Sequence, residues 1–160
     1  MSMTQEKKQE YTLKITQANK TQMITILYEM VLEYIADAKA AISTGNRTLS
    51  DRNIGYAQNC IDELIRSVNL RTELGKMLHK LYIFSKKELM LAGVNMSTSR
   101  LQRVERNFKA LHAAYKEIES IDKSEPTMGN TQSVYAGLTY GRYSLNESVK
   151  DSSMNRGFMA

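Results

Sequence analysis

Hydrophobic residues recur every three or four positions along most of the first 122 residues of this chain. Between about Asn19 and Ser43 they form two neighbouring stripes, which begin at Met23 and Ile24. This spacing is the period of an α-helix, and two adjacent stripes make an apolar face wider than a single helix–helix seam requires. We therefore predict a long helix that is buried by two neighbours, or by one neighbour with surface left for a ligand.

The same period predicts three further helices. The second runs from an expected cap at Ser50 to about residue 69. The third covers about residues 73–92 and stops at Gly93, and the fourth follows a cap at Ser97. The inner face predicted for the third helix comprises Leu74, Met77, Leu78, Leu81, Tyr82, Ser85 and Leu89. Four long helices joined by short connections predict an all-α fold, an antiparallel (up-down) four-helix bundle over residues 19–123.

The two ends of the chain have different patterns. Apolar and polar residues alternate from Tyr11 to Thr16, which is the period of extended backbone, so we predict an extended N-terminal arm over residues 1–18. Residues 124–160 hold the only proline, yet they also carry apolar and aromatic residues, chiefly within residues 134–145. We predict an irregular C-terminal tail that docks on the chain's own helices or on a neighbouring copy. A tail that docks nowhere is the alternative.

Composition narrows the possible functions. The chain is 42% hydrophobic and 24% charged, which is typical of a globular domain, and no apolar run approaches the ~18 residues of a membrane span. The single cysteine, Cys60, excludes an internal disulfide, and the N-terminal residues lack the apolar core of a secretion signal. His79 and His112 follow lysine rather than glutamate at three positions' distance, so neither completes a di-iron motif. We expect a cytoplasmic protein with no enzymatic activity, cofactor, metal or membrane insertion.

The net charge of +5 raises the question of an anionic partner. Basic and acidic residues are mixed along each predicted helix, which is typical of a solvated face rather than a phosphate-binding stripe. The longest basic series, spaced by three residues, is Arg100, Arg103, Arg106 and Lys109. We expect no nucleic-acid partner. A basic helical regulator that binds nucleic acid and a self-associating structural protein are the two alternatives.

The segment from Ile26 to Ala38, ILYEMVLEYIADA, resembles the signature helix of the flagellin-specific export chaperones, the FliS family. Weaker apolar patterns follow in the family's order, and a second Leu-Tyr doublet stands at Leu81-Tyr82. The resemblance covers about residues 11–121. Two departures are that Glu29 replaces the usual aspartate, and that Asn19-Lys20-Thr21-Gln22 stands where the family often has a Ser-Pro-Glu-Glu-like start.

The resemblance implies an antiparallel helical bundle in the cytoplasm that binds the C-terminal region of newly made flagellin. Such a chaperone prevents flagellin from polymerising and keeps it competent for export by the flagellar type III apparatus. The complex of chaperone and flagellin is expected to meet the export gate. Helix-in-groove recognition suits this client, and the N-terminal segment is expected to cover part of the groove when flagellin is absent. A homodimer is left open. The client-binding residues that we predict are Tyr11, Ile24, Leu27, Tyr28, Val31, Leu81, Tyr82 and Leu89.

Overall fold

The structure is a computed structural model that describes residues 3–126 and contains, within that range, five α-helices and no strand. The helices are α1 (Gln5–Gln17), α2 (Lys20–Ser43), α3 (Arg47–Ser67), α4 (Glu73–Asn95) and α5 (Thr98–Glu119). The all-α prediction is confirmed for this part of the chain. None of these five helices is both long and apolar enough to span a membrane. Residues 127–160, which include most of the predicted tail, lie outside the described residues.

The prediction of an extended N-terminal arm is wrong, because residues 5–17 form the helix α1. Thr4 caps this helix by accepting a hydrogen bond from the amide of Lys7. The alternating pattern indicated three equivalent apolar side chains, but only Tyr11 and Ile15, one helical turn apart, are buried, whereas Leu13 is 59% exposed. A short isolated helix is marginal in water, so the packing of these two side chains against α2 stabilises α1.

Both ends of α2 agree with the sequence prediction. The side chain of Asn19 accepts a hydrogen bond from the amide of Gln22 at 2.9 Å, and the side chain of Gln22 accepts one from the amide of Asn19 at 2.9 Å. This reciprocal pair is a capping box, and it stands where the family often has its own helix start. At the other end Gly45 has a φ of 71°, a left-handed conformation that costs glycine little.

The first turn of α3 lies earlier than predicted. The side chain of Asn46 accepts a hydrogen bond of 3.0 Å from the amide of Leu49, so α3 begins at Arg47. Ser50, the predicted cap, is buried within the helix. Asparagine and serine cap helices about equally well, so the sequence pattern did not distinguish the two positions.

Gly93 does not end α4, which continues to Asn95. The helix ends where Met96 adopts a left-handed φ of 50°. A Cβ atom at position 93 would lie 3.3 Å from Oδ1 of Asp51 and 3.4 Å from Cδ1 of Ile54, both on α3. The glycine therefore permits close contact between α4 and α3 instead of stopping the helix.

Four pairs of long helices pack together: α2 on α3, α2 on α5, α3 on α4, and α4 on α5, while α1 packs on α2. Ion pairs join several of them. Lys39 Nζ lies 2.8 Å from Glu105 Oε2 between α2 and α5, and Lys86 Nζ lies 2.6 Å from Asp62 Oδ1 between α4 and α3. One apolar core fills the centre, and its largest fully buried side chains include Tyr28, Tyr34, Tyr82, Leu101 and Phe108.

Candidate functional site

Most of the predicted client-binding residues lie in the core. Relative exposure is 2% or less for Leu27, Tyr28, Val31, Tyr82 and Leu89, and 7% for Tyr11. Only Ile24 and Leu81 are partly exposed. A ligand on the surface of this fold therefore meets at most these two residues of the set. Direct client contact by the others stays a prediction, and it requires helices to move apart.

The two tyrosines of the Leu-Tyr doublets contact each other inside the core. The hydroxyl groups of Tyr28 on α2 and Tyr82 on α4 share a hydrogen bond of 2.6 Å. The Tyr28 ring also makes edge-to-face contacts with Phe108 and Tyr115 of α5, with ring centroids 5.5 and 5.4 Å apart. Burial raises the pKa of both tyrosines, that of Tyr82 to about 12. The doublets that carry the family resemblance thus hold three helices together.

A row of exposed and partly exposed apolar side chains, here named the α4 stripe, runs along α4 beside its buried face. Its members are Leu74, Met77, Leu81, Phe84 and Leu91. Leu74 is 59% exposed, Met77 68% and Phe84 45%, and their spacing places the row on one side of the helix. The prediction that Leu74 and Met77 face inward is wrong, because α4 carries two adjacent stripes and only one is covered. The covered stripe consists mainly of Leu78, Tyr82, Ser85 and Leu89.

The α4 stripe lies on the side of α4 that faces α5. Glu88 stands in the same row between Phe84 and Leu91, and its carboxylate pairs with Arg100 at 2.9 Å and with Arg103 at 3.2 Å. Glu88 is only 5% exposed, so these ion pairs belong to the contact between the two helices. They orient the stripe toward α5 and place charge near one end of it.

On α5, the face that carries Arg103 and is directed toward α4 also contains small and apolar residues. Ala110 and Ala114 follow Arg103 by seven and eleven positions, which brings them to the same face of the helix, and both are exposed. Ile118 extends this face and is 46% exposed. Together with the α4 stripe, these α5 residues form a largely apolar, exposed surface along the two helices. We name it the α4–α5 groove.

A small pocket lies at the end of the groove farther from Glu88. Its volume is about 160 Å³, and the residues that line it include Lys20, Ile24, Leu74, Leu78 and Tyr115. Since Leu74 also belongs to the α4 stripe, the pocket and the groove adjoin. Ile24 lines the pocket and Leu81 belongs to the α4 stripe, and Leu74 is common to both.

A different surface, on α2, is covered by α1. Tyr11 and Ile15 are buried there, and Lys7 Nζ pairs with Glu33 Oε1 at 2.6 Å. Burial raises the pKa of the Tyr11 hydroxyl. Since α1 packs on α2, whereas α4 packs on α3 and α5, α1 leaves the α4–α5 groove open.

The cysteine and His112 have structural rather than catalytic environments in the described part of the chain. Within residues 3–126, no group of three or more histidine, cysteine, aspartate or glutamate side chains is arranged to hold a metal ion. Cys60 is fully buried and burial raises the pKa of its thiol, so little of the reactive thiolate forms. His112 Nε2 lies 3.0 Å from Glu29 Oε1, so this histidine joins α5 to α2.

Most of the basic residues spaced by three along α5 form ion pairs with carboxylates. Arg100 and Arg103 pair with Glu88, and Lys109 Nζ lies 2.7 Å from Glu105 Oε1. Phosphate binding requires cations whose charge is available to the ligand. These pairings favour the interpretation as a solvated face over a nucleic-acid patch.

Sequence reasoning missed Phe84 and Leu91 as members of an exposed row. The spacing of three and four residues from Leu74 through Phe84 was visible, but a second stripe with the same spacing runs one position away. Periodicity identifies both stripes as apolar. It does not indicate which one the neighbouring helices cover.

Comparisons with known proteins bear on the same region of the chain. The comparison with curated proteins gives no match. Residues 3–122 match the model of the family described as flagellar protein FliS. The matched region contains all five described helices, the α4–α5 groove and the surface covered by α1.

Proposed function

The chain belongs to the FliS family of flagellar proteins, and from that premise we propose that it is a cytoplasmic export chaperone for flagellin. It binds the C-terminal helical region of flagellin, prevents premature polymerisation and keeps flagellin competent for flagellar type III secretion. The complex, rather than the free chaperone, meets the export gate. Family membership supports the general role of a flagellar export chaperone. The choice of client is supported by the chemistry of the open groove.

The α4–α5 groove is the observation that carries this proposal. Leu74, Met77 and Phe84 are exposed on one side of α4, with the partly exposed Leu81 between the last two, and exposed apolar surface of this kind marks interaction sites. Covering apolar surface contributes about 25 cal/mol per Å² removed from water. An amphipathic helix laid along the groove presents its own apolar residues at the spacing of three and four that the α4 stripe has. The terminal helices of flagellin have such faces and self-associate if they are left exposed.

We also infer that α2–α5 form the antiparallel four-helix bundle expected of the family. Between α2 and α5, Lys39 pairs with Glu105 while Glu29 pairs with His112, so residue numbers fall along one helix as they rise along the other. The connections 44–46 and 96–97 are too short for the following helix to return in the same direction. This arrangement supports a groove that runs along the lengths of α4 and α5.

Deleting residues 1–17 is expected to raise the affinity for a C-terminal flagellin fragment by about three- to tenfold. Tyr11 and Ile15 cover part of α2, so a client that extends onto this surface has to displace α1 first. Apparent affinity falls in proportion to the uncovered population, and the deletion removes the cover. Isothermal titration calorimetry of the full chain and the deletion variant with one fragment measures the difference.

Single substitutions provide matched controls for this deletion. Tyr11→Ser weakens the docking of α1 and should shift affinity in the same direction, whereas Leu13→Ser alters an exposed side chain of α1 and should leave affinity unchanged. Unchanged or weaker binding after the deletion would show that α1 is inert or forms part of the binding site, and would contradict the competition.

The proposed function itself is tested by co-elution. The full chain is mixed with the C-terminal fragment of flagellin from its own bacterium, and the mass of the eluted species is measured by light scattering. We expect a complex of chaperone and fragment, and separate elution of the two would contradict the proposal. Salt-dependent retention on a DNA or RNA column without fragment binding would favour the nucleic-acid alternative. Self-association alone would favour the structural one.

A further inference from the structure

The segment that follows α5 is attached to the beginning of α2. Asn19 Nδ2 donates a hydrogen bond of 3.2 Å to the carbonyl oxygen of Ser124, and Thr21 Oγ1 donates one to the carboxylate of Asp122. The amide of Ser124 donates a further bond of 2.9 Å to Asp122. Hydrogen bonds from Ser124 and Thr21 lower the pKa of Asp122 to about 2. The chain therefore enters residues 127–160 from a defined point on the surface.

This point of attachment adjoins the α4–α5 groove. Lys20, which stands between Asn19 and Thr21, lines the pocket of about 160 Å³ that Leu74 also lines. From Leu74 to Phe84 the α4 stripe is about 15 Å long, at the helical rise of 1.5 Å per residue. Seven residues, 127–133, span up to about 24 Å when extended. Residues that follow position 133 therefore reach the length of the groove without any movement of α5.

The composition of residues 134–145, VYAGLTYGRYSL, suits an apolar groove. The segment holds three tyrosines, two leucines and a valine, and its only charged residue is Arg142. Tyrosine rings offer a large contact area at a low cost in conformational entropy. The two glycines disfavour an isolated helix, since each costs about 1 kcal/mol relative to alanine. A segment that only solvates the chain requires none of these apolar side chains.

We propose that residues 134–145 dock in the α4–α5 groove of the same chain when no client is bound. The consequence for flagellin rests on the function proposed above: the segment and the client compete for the α4 stripe. Covering the stripe also protects an exposed apolar row from self-association. This segment lies outside the family match at residues 3–122, and its groove is separate from the surface that α1 covers. The chain thus has two independent covers for two apolar surfaces.

Thiol labelling tests the docking without any client. Phe84→Cys places a reporter in the groove, and Ile83→Cys is its matched control because the two side chains are 45% and 49% exposed and lie about 100° apart around α4. The native Cys60 is fully buried, and its raised pKa keeps it unreactive. Each variant is prepared in the full chain with the native segment, and again with Tyr135→Ser, Leu138→Ser and Tyr140→Ser together.

With the native segment, the reporter thiol of the Phe84→Cys variant should react about tenfold more slowly than with the serine-substituted segment, if about 90% of molecules are docked. The Ile83→Cys reporter should react equally in both. Equal rates for the Phe84→Cys reporter would overturn the proposal. Protection that disappears on dilution would overturn it as well, because it would show docking on a neighbouring copy.

Flagellin binding separates this proposal from the proposed function. The serine-substituted segment should increase affinity for the C-terminal flagellin fragment by a factor that matches the loss of thiol protection. If no variant binds the fragment, the proposed function fails, while the labelling rates still decide whether the segment docks. Protection without any gain in affinity would overturn the competition between segment and client.

Discussion

Replacing Phe84 by serine should weaken binding of the C-terminal flagellin fragment by about 2–3 kcal/mol, or roughly 30- to 150-fold in Kd. Phe84 is the largest side chain of the α4 stripe and lies between Leu81 and the Glu88 ion pairs. Aromatic residues near the centre of an apolar interface contribute most to binding, because they bury large area and exclude water. Because Phe84 is already 45% exposed, the substitution should lower the free energy of unfolding by only about 1 kcal/mol when it is made in the chain with the serine-substituted segment, where docking of residues 134–145 does not contribute. Titration calorimetry and urea unfolding measure the two quantities.

Ile83→Ser is the matched control for this substitution. Ile83 is 49% exposed, similar to Phe84, but it points away from the groove. The control should leave the Kd unchanged within about twofold, since a surface residue outside the contact contributes little. Equal loss of binding in both variants would mean that the client does not use the groove. No loss in either would mean that the client binds elsewhere on the molecule.

Replacing Tyr82 by alanine should lower the free energy of unfolding by about 3–5 kcal/mol, because it leaves a cavity where α2, α4 and α5 meet. Tyr82 is 1% exposed, and its ring lies 6.3 Å from that of Phe108. Removing only the hydroxyl, as in Tyr82→Phe, should cost about 1–3 kcal/mol because the buried hydroxyl of Tyr28 loses its partner. Denaturant unfolding followed by circular dichroism measures each loss.

A double-mutant cycle isolates the hydrogen bond between these tyrosines. The variant with both Tyr28→Phe and Tyr82→Phe should lose less stability than the sum of the single variants, because no buried hydroxyl is then left unpaired. Tyr115→Phe, in the same aromatic cluster but half-buried, is the control and should change stability by at most about 0.5 kcal/mol. Additive losses would contradict the assignment of the Tyr28–Tyr82 bond.

Comparing the effects of the Phe84 and Tyr82 substitutions on binding and stability distinguishes a role in the groove from a role in the core. Phe84→Ser is expected to reduce binding while the protein stays folded. Tyr82→Ala is expected to reduce binding only to the extent that it unfolds the protein. The Leu-Tyr doublets were identified from the family resemblance as client-binding residues, but their tyrosines are buried partners of each other. Client contact by these two tyrosines stays a prediction, and the exposed apolar surface lies beside them.

Much of the fold was determined by the sequence alone, because helix period and helix caps are local properties. The start of α2 at the Asn19 cap and the connection before α4 follow from a few neighbouring residues. Where two residues cap helices about equally well, as Asn46 and Ser50 do, the prediction placed the cap at Ser50, whereas α3 is capped by Asn46. The family resemblance was also visible in the sequence, since it depends on the order of the apolar residues.

The tertiary structure alone decided which apolar residues are covered. On α4 the stripe of Leu78 and Tyr82 and the stripe of Met77 and Phe84 have the same period, and only the positions of α3 and α5 determine that the first is buried and the second exposed. The same holds for residues 5–17. Their alternating pattern fits extended backbone, but they form a helix because Tyr11 and Ile15 then pack together against α2. The candidate site could not be predicted residue by residue, because burial depends on neighbours that are distant along the chain. Helical period is set within a few residues, whereas exposure is set by how whole helices pack.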